Sequence, residues 1–356
     1  IISLPMTPTE LETPAEQTAK IATVLGGGSF GTAIANILAE NGFQVRQWMR
    51  NAQAISEINS IHENKKYLPG VTLHENIEAT DDIGYAVQEA SVLFYSIPSK
   101  SFREIVEKTK DVVVKEQILI STTKGIEPEG FNLMSDVLRQ VFPTNSVGVI
   151  SGPNLAKEIA QGQLAATVIA SKDKRVRDFI QQSLSCKFFR IYVNADMYGV
   201  ELGGALKNIY AIITGMAAAL GYGENTKAML ITRSLAEMSR FAVSQGANPM
   251  TFLGLAGVGD LVATCVSPLS RNYRVGYAVG KGENLEEAIE SLGEVAEGIN
   301  TLKYIRNQAN DNGIYMPLVN ALYAVLFENA SADQVASALM TGEHNTDVEF
   351  SLPRGA

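Results

Sequence analysis

The stretch IATVLGGGSFG, residues Ile21 to Gly31, decides the fold. Its first half, Ile21–Leu25, is the apolar and β-branched run typical of a buried parallel strand. Gly26 to Gly31 then fits the pattern G-x-G-x-x-G, and an apolar helical pattern follows over 30–41. In this pattern the glycines allow a tight turn, close approach of a pyrophosphate and close packing of helix on strand. Because a helix N-terminus offers amides to phosphate oxygens, the stretch predicts a dinucleotide-binding loop.

The residues after this loop bear on the choice of cofactor. No lysine follows Gly31, which excludes a mononucleotide P-loop. At the end of the next strand candidate, 45–49, an NAD site usually carries an acidic residue for the ribose hydroxyls. This chain has Arg50 there, which can accept a 2′-phosphate or stack on adenine; a solvated strand-end arginine is the alternative. We therefore predict NADP or NAD as cofactor, with Gly26, Gly28 and Gly31 in its binding loop.

Strand and helix patterns alternate through the first half of the chain. Further strand candidates are 92–97, 118–121, 147–151, 167–170 and 188–193, and helical stretches lie at 52–60, 102–110, 133–141 and 175–184. Mostly apolar runs are what parallel strands covered on both faces require. The pattern predicts an α/β fold with an N-terminal doubly wound parallel-sheet (Rossmann-type) domain at 18–195.

From residue 196 onward the strand patterns give way to helical ones. Helical stretches are expected at 200–220, 226–245, 273–280, 285–289, 298–310, 317–327 and 332–340, with a glycine-rich loop at 254–259. We predict an all-helical substrate and catalytic domain at 196–346. Ligands of open parallel sheets bind at the carboxyl ends of the strands, so the active site is expected where those ends face the helical domain.

The composition excludes several classes of function. The 356 residues carry 29 Lys plus Arg against 38 Asp plus Glu, a net charge of −9, which disfavours nucleic acids and anionic membranes as partners. With two cysteines and three scattered histidines we expect no catalytic metal, no disulfide framework and a cytoplasmic location. The uncharged stretch 208–223 is too short to span a membrane and is expected to be a buried core helix. Residues 1–17 and 347–356 receive no assignment; without an initial Met, the chain is interpreted as trimmed or tagged.

Two lysines and one aspartate are candidates for chemistry. Lys124 follows a strand candidate and is expected near the nicotinamide, with an ordinary surface lysine as the alternative. Lys207 stands among apolar residues, where a cation must reach solvent or be held by a partner. A lysine in such surroundings can act as a general acid. Asp260 is its expected counter-ion, because no other charge lies between Arg240 and Arg271; an N-cap for the following helix is the alternative.

Ser270, Arg271 and Asn272 form a second candidate group. They offer a hydroxyl, a guanidinium and an amide beside a predicted helix start, an arrangement suited to phosphate. The group supplies the local cation that an acidic chain needs for an anionic ligand, although a solvated loop arginine is the alternative. Cys265 lies nearby without a histidine beside it and is interpreted as a small core residue rather than a nucleophile.

Seven motifs occur in order across both predicted domains. They are GGGSFGTA at 26–33, TKGIE at 123–127, SGPNLAKE at 151–158, KN at 207–208, GVGDL at 257–261, LSRN at 269–272 and VAEG at 295–298. Together they resemble the NAD(P)-dependent sn-glycerol-3-phosphate dehydrogenases, most closely the bacterial biosynthetic branch. The resemblance implies that dihydroxyacetone phosphate is reduced to sn-glycerol 3-phosphate, which feeds phospholipid synthesis in the cytoplasm. A homodimer is expected from the same resemblance and from the frequency of two-fold oligomers.

The resemblance also implies roles for individual residues. By resemblance Lys207 is the proton donor, Asp260 is its partner, and Lys124 polarises the substrate carbonyl and contacts the cofactor. The other implied residues are Arg271 and Asn272 for the substrate phosphate, Gly152, Asn154 and Ser270 for the remaining substrate pocket, and Ser29, Phe30, Arg50, Ala156, Arg271, Val295 and Glu297 for the cofactor. Many relatives have Ser or Thr in place of Asn154, whose amide still donates and accepts.

Two other interpretations stay open at this point. A β-hydroxyacid or ketopantoate type of reductase also joins a nucleotide domain to helices that carry a catalytic lysine. A cofactor-sensing module would bind NAD(P) and regulate a partner without chemistry, because a nucleotide loop alone does not establish catalysis. Activity on an unphosphorylated acid would favour the first interpretation, and cofactor binding without turnover the second.

Overall fold

A single sheet organises the first half of the chain in the computed structural model, which describes residues 20–127, 130–292 and 296–341. Its strands are β1 (Ile21–Leu25), β2 (Gln44–Trp48), β3 (Ile77–Thr80), β4 (Val92–Tyr95), β5 (Ile118–Ser121), β6 (Val147–Ser151), β7 (Ala165–Ala170) and β8 (Phe189–Asn194). The strand order is β3-β2-β1-β4-β5-β6-β7-β8. All neighbours are parallel except β6 and β7, which run antiparallel.

Helices cover both faces of this sheet, as the apolar strand patterns predict. They are α1 (Ser29–Glu40), α2 (Ala52–Ile61), α3 (Ile83–Val87), α4 (Phe102–Lys108), α5 (Met134–Val141), α6 (Ala156–Ala160) and α7 (Lys174–Leu184). Two apolar clusters, one on each face, enclose the strands. The predicted α/β class is confirmed, but the sequence analysis missed β3. That strand is short and lies at the sheet edge, where Glu78 is exposed, so its pattern lacks the apolar run of the inner strands.

The second half is helical around one central helix. Its helices are α8 (Met197–Ala219), α9 (Glu224–Ser244), α10 (Asp260–Val266), α11 (Arg271–Gly280), α12 (Leu285–Leu292), α13 (Glu297–Asp311), α14 (Pro317–Phe327) and α15 (Ala332–Thr341). Helix α8 is buried along nearly its whole length, which confirms a buried core helix for the uncharged stretch as far as Ala219; Leu220, Gly221 and Gly223 are exposed beyond the helix. Helices α9, α10, α11 and α13 pack around it. Within the described residues, no helix is both long and apolar enough to cross a membrane.

The segment expected to be a glycine-rich loop is helical instead. Leu255–Gly259 forms a π-helical turn that runs directly into α10. Gly257 permits this winding, because a Cβ added there would lie 2.3 Å from the Phe252 backbone. The expectation of a loop was therefore wrong: the glycines serve close helical packing, and Asp260 emerges at the start of a helix.

Helix α8 lies close to the carboxyl end of β6. A Cβ added at Gly204 would lie 2.4 Å from Ser151 Oγ, so the helix and the strand end are in close contact here. Glu201, also on α8, accepts a hydrogen bond of 2.9 Å from the backbone N–H of Ser135 in α5. The helical half thus contacts the strand ends directly. Residues 1–19, 128–129, 293–295 and 342–356, which include Val295 and both unassigned termini, lie outside the described residues.

Candidate active site

The glycines of the dinucleotide loop have three distinct surroundings. Gly26 adopts φ +132°, and an added Cβ would lie 2.2 Å from the Ser96 carbonyl oxygen. At Gly31 an added Cβ would lie 2.7 Å from the Gly26 carbonyl oxygen, so α1 packs tightly on the turn. Gly28, the N-cap of α1, has no described atom within 4 Å of an added Cβ. This open space beside a helix N-terminus fits a pyrophosphate.

A buried polar network behind the loop was missed by the sequence analysis. The amide of Gln47 donates to the Gly26 carbonyl oxygen, and that of Asn64 donates to the Gly27 carbonyl oxygen. Both amides also donate to the hydroxyl oxygen of Thr32 on α1. Gln47 alternates along the chain with the apolar residues Val45 and Met49, which is a signal that its side chain faces the core. Asn64 gives no such signal, because its polar neighbours in the sequence are typical of a solvent-exposed loop.

Two lysines share one aspartate at the carboxyl ends of the strands. Lys124 follows β5, and its Nζ lies 2.7 Å from Asp260 Oδ2. Lys207 comes from the middle of α8 and donates to Asp260 Oδ1 and, at 2.5 Å, to Thr264 Oγ1. Asp260 has a side-chain exposure of 0 %, against 8 % for Lys207 and 19 % for Lys124. Since both carboxylate oxygens bind lysines, the carboxylate does not cap α10, whose N-cap is Gly259.

The cluster has unusual electrostatics. Burial lowers the pKa of Lys124 to about 7; the charge of Asp260 opposes this shift and the charge of Lys207 reinforces it. Two ammonium groups on one carboxylate give a net positive site when both are protonated, which favours an anion or a developing negative charge. Cys265 lies beside the cluster, but burial raises the pKa of its thiol to about 12. The core interpretation of Cys265 therefore fits better than a nucleophile.

Gly152 and Asn154 continue the site beyond β6. Lys124 Nζ donates to the Gly152 carbonyl oxygen at 2.8 Å, and Gly152 itself adopts φ +147°, which favours glycine. Asn154 Nδ2 donates to Thr167 Oγ1 at 2.9 Å. Asn154 Oδ1 and Ser151 Oγ are buried without a hydrogen-bond partner in the part of the chain that the structure describes. Unpaired buried polar atoms are uncommon in native structures and single out this segment.

Helix α11 brings the Ser-Arg-Asn group to the same region. It begins at Arg271, and Ser270 is its N-cap, with its Oγ accepting from the Tyr273 backbone N–H at 3.3 Å. Asn272 is buried, and its Oδ1 accepts from the Gly298 backbone N–H at 3.0 Å. A Cβ added at Gly298 would lie 2.6 Å from the Asn208 carbonyl oxygen, so α11, α13 and α8 converge next to Lys207.

Glu297 joins the helical half to the sheet. Its carboxylate accepts from the Ser99 backbone N–H at 3.0 Å and from the Ser99 hydroxyl, just after β4. Burial raises the pKa of Glu297, while the charge of Arg271 acts in the opposite direction. A Cβ added at Gly125 would lie 3.1 Å from the Glu297 carboxylate, so Glu297 lies beside the residues that follow Lys124.

The remaining predicted cofactor residues are spread along the sheet edge. Ser29 and Phe30 form the first turn of α1, where Ser29 Oγ donates to the Tyr67 carbonyl oxygen at 2.9 Å. Ala156 begins α6, which packs on α1. Arg50 is exposed just beyond β2. Among the described residues, no group of three or more metal-ligating side chains occurs.

These observations define a class of protein. A Rossmann-type sheet carries a dinucleotide loop, and a buried lysine–carboxylate cluster lies at the carboxyl ends of the neighbouring strands. This combination is that of an NAD(P)-dependent oxidoreductase.

Comparison with known proteins identifies the family. Sequence models of the NAD-dependent glycerol-3-phosphate dehydrogenase N-terminus and C-terminus match residues 20–177 and 196–337. The chain belongs to this family. The NAD(P)+ glycerol-3-phosphate dehydrogenase of Ectopseudomonas mendocina is 57 % identical over 327 residues, which cover 92 % of this chain and 96 % of that protein.

Solved structures agree with this assignment. The crystal structure of glycerol-3-phosphate dehydrogenase from Coxiella burnetii superposes with a TM-score of 0.87 at 34 % identity, covering 91 % of this chain and 99 % of that one. A ketopantoate reductase from Ralstonia eutropha reaches a TM-score of 0.57 at 14 % identity, covering 89 % of this chain and 99 % of that one, which shows a shared fold alone. The resemblance seen in the motifs is therefore confirmed at the level of the family.

Proposed function

We propose that this protein reduces dihydroxyacetone phosphate to sn-glycerol 3-phosphate with NADPH or NADH, and so supplies glycerophospholipid synthesis. The observation that carries the proposal is the buried Lys124–Asp260–Lys207 cluster at the strand ends of a glycerol-3-phosphate dehydrogenase fold. Its net positive charge suits a phosphorylated ketone whose carbonyl oxygen becomes negative during reduction. The NAD(P)+ named for the relative from Ectopseudomonas mendocina supports the cofactor.

Each member of the cluster has a role in the proposed mechanism. The bound nicotinamide supplies the hydride that the ketone carbon accepts. Lys207 donates the proton to the carbonyl oxygen, and Lys124 stabilises the negative charge that develops there. Asp260 holds both ammonium groups in place, and its hydrogen bonds to them support this assignment. The lowered pKa of Lys124 makes it the alternative proton donor.

The substrate phosphate and hydroxyl have separate sets of partners in this proposal. Arg271 and Asn272 bind the phosphate at the N-terminus of α11, where backbone amides also favour an anion. Gly152, Asn154 and Ser270 complete the pocket, supported by the unpartnered oxygen of Asn154 in the described structure.

The cofactor lies along the loop in this proposal. The glycines Gly26, Gly28 and Gly31 accommodate its pyrophosphate, and Lys124 contacts the nicotinamide. The other proposed contacts are Ser29, Phe30, Arg50, Ala156, Arg271, Val295 and Glu297. Support comes from the open space beside Gly28 and from the contact of Glu297 with Ser99 after β4.

We also propose the division into a dinucleotide-binding domain at 18–195 and a helical domain at 196–346. The end of β8 at Asn194 and the start of α8 at Met197 support this boundary. A cytoplasmic homodimer is part of the proposal. Two free cysteines favour a reducing compartment, and two-fold dimers are the commonest oligomers.

The decisive measurement is oxidation of NADPH, and separately of NADH, followed by absorbance after dihydroxyacetone phosphate is added. We expect rapid oxidation with this substrate and little with unphosphorylated dihydroxyacetone, since only the former engages Arg271 and Asn272. Cofactor binding without turnover of any keto substrate would favour the sensing module instead. Turnover of an unphosphorylated keto acid alone would favour a ketopantoate type of reductase.

A further inference from the structure

Two buried amide side chains hold consecutive carbonyl groups of the dinucleotide loop. Gln47 Nε2 donates to the Gly26 carbonyl oxygen and to Thr32 Oγ1, both at 3.0 Å. Asn64 Nδ2 donates to the Gly27 carbonyl oxygen and to the same Thr32 hydroxyl, both at 2.9 Å. Gln47, Thr32 and Asn64 are all 0 % exposed. The loop is therefore supported from its protein side by residues that cannot reach a bound cofactor directly.

These hydrogen bonds fix the direction of backbone N–H groups. In a planar trans peptide, the carbonyl of one residue and the N–H of the next point in opposite directions. Holding the carbonyls of Gly26 and Gly27 toward the two amides thus directs the N–H groups of Gly27 and Gly28 to the opposite side. The open space found at Gly28 adjoins these N–H groups. Without the restraint, glycine peptides rotate at little steric cost.

The network is not built for stability alone. Gln47 Oε1 is buried and has no hydrogen-bond partner within the described residues. A buried acceptor in this state lowers the stability of the fold. The amide donor of Gln47 is therefore best explained by what it does for the loop.

The segment that carries Asn64 is itself held against the loop. The Tyr67 backbone N–H donates to Asn64 Oδ1 at 3.3 Å, and Ser29 Oγ of α1 donates to the Tyr67 carbonyl oxygen. The connection after α2 thus contacts the loop through both a side chain and its backbone. Asn64 cannot turn away without breaking these contacts.

We propose that Gln47, Thr32 and Asn64 are positioning residues that preorganise the loop amides for the pyrophosphate of NAD(P). They act through the backbone and touch neither substrate nor reacting atoms. The proposal deepens the proposed function, because it rests on the cofactor site of that function. It predicts that losing the network weakens cofactor binding while leaving the chemical step unchanged.

The first test compares Asn64→Ala with Asn59→Ala. Asn59 is a matched control, because its amide exchanges two hydrogen bonds with the Ala79 backbone, at 2.8 and 2.9 Å, and none with the loop. For Asn64→Ala we expect the Kd for NADPH by calorimetry, and the KM for NADPH, to rise about tenfold, the size of one lost hydrogen bond. The kcat at saturating NADPH and the KM for dihydroxyacetone phosphate stay unchanged. Asn59→Ala leaves all four values unchanged.

The second test uses Thr32 and also covers the case in which Asn64→Ala does not fold. Thr32→Val keeps the shape and removes the hydroxyl, whereas Thr32→Ser keeps the hydroxyl, so we expect weakened NADPH binding in the first and recovery in the second. A folded Asn64→Ala or Thr32→Val with the wild-type Kd overturns the proposal. If the wild type binds NADPH without turning over dihydroxyacetone phosphate, the proposed reaction fails. The same calorimetric comparison then still decides the positioning role.

Discussion

The dinucleotide loop and the lysine cluster solve opposite electrostatic problems. In the proposed site the loop binds an anion with neutral groups: glycine amides, a helix N-terminus and buried amide side chains behind them. The cluster concentrates formal charge, with a fully buried aspartate between two lysines. A site made of backbone dipoles binds without ionising, whereas a site made of buried charges responds to pH and to the loss of any member. Binding and chemistry should therefore be separable by mutation.

Lys207→Ala should separate cofactor binding from the chemical step most strongly. We expect kcat to fall by about 10² or more, the usual size of a general acid effect, while the Kd for NADPH stays nearly unchanged. Asp260 keeps its hydrogen bond to Lys124, so the variant should fold. Steady-state kinetics measures kcat, and calorimetry measures the Kd. The control is Lys227→Ala, which removes a partly exposed lysine that pairs with Glu224 in α9. Wild-type turnover in Lys207→Ala would remove this residue from the mechanism.

Arg271→Ala should act on the substrate rather than on the chemical step. The loss of a charge-assisted, forked contact to phosphate should raise the KM for dihydroxyacetone phosphate by about 30-fold, with a smaller change in kcat. The control is Lys281→Ala, which removes a cation from the other end of α11. An unchanged KM in Arg271→Ala would reject the phosphate assignment.

Two glycine variants should divide stability from binding within the loop. Gly28→Ala places a methyl group in open space, so we expect an unchanged Tm and a rise of about tenfold in the KM for NADPH, because the methyl group hinders the pyrophosphate. Gly26→Ala meets the Ser96 carbonyl oxygen at 2.2 Å, so it should lower stability by about 1–3 kcal/mol. Thermal unfolding and kinetics of both variants measure this contrast. Equal Tm values for the two would contradict the account of the loop.

The loop and the three members of the cluster can be predicted from the sequence, but the sharing of Asp260 by both lysines cannot. The loop is continuous in the chain, and its glycines follow from local geometry, so the motif indicates fold and ligand together. Asp260 lies 136 residues from Lys124, and only the folded chain brings them into contact. From the residues alone, Asp260 was expected to pair with Lys207, and the structure adds Lys124 to the same carboxylate. The substrate came from the resemblance and not from any property of single residues.

The errors have physical causes as well. The π-helical turn before Asp260 was interpreted as a loop, because glycine usually breaks helices and its use in close packing depends on a neighbour, here Phe252. The support of the loop by Gln47 and Asn64 went unnoticed, because polar residues look solvated until their burial is known. Both cases depend on tertiary contacts that no local pattern contains.

The pH dependence should differ between the two sites. The pKa of Lys124 is about 7, so its ammonium form is lost as pH rises through this value. In the proposed mechanism reduction needs that charge, so kcat/KM for dihydroxyacetone phosphate should fall about fivefold between pH 7 and pH 8. The Kd for NADH, which lacks the titrating 2′-phosphate, should change less over the same interval, because the loop that binds its pyrophosphate has no titratable group. A flat kcat/KM profile to pH 9 would show that Lys124 acts without its charge.

The smallest effect is expected at Arg50, which tests whether the loop region recognises charge at all. This residue is exposed, and a solvent-screened ion pair is worth little, so Arg50→Ala should raise the KM for NADPH by only about three- to fivefold. The KM for NADH should not change, since NADH has no 2′-phosphate, and it serves as the control within one protein. Higher salt should reduce the difference between the two cofactors in the wild type, because screening weakens exposed pairs. Equal changes for NADPH and NADH would instead indicate that Arg50 stacks on adenine and does not recognise the 2′-phosphate.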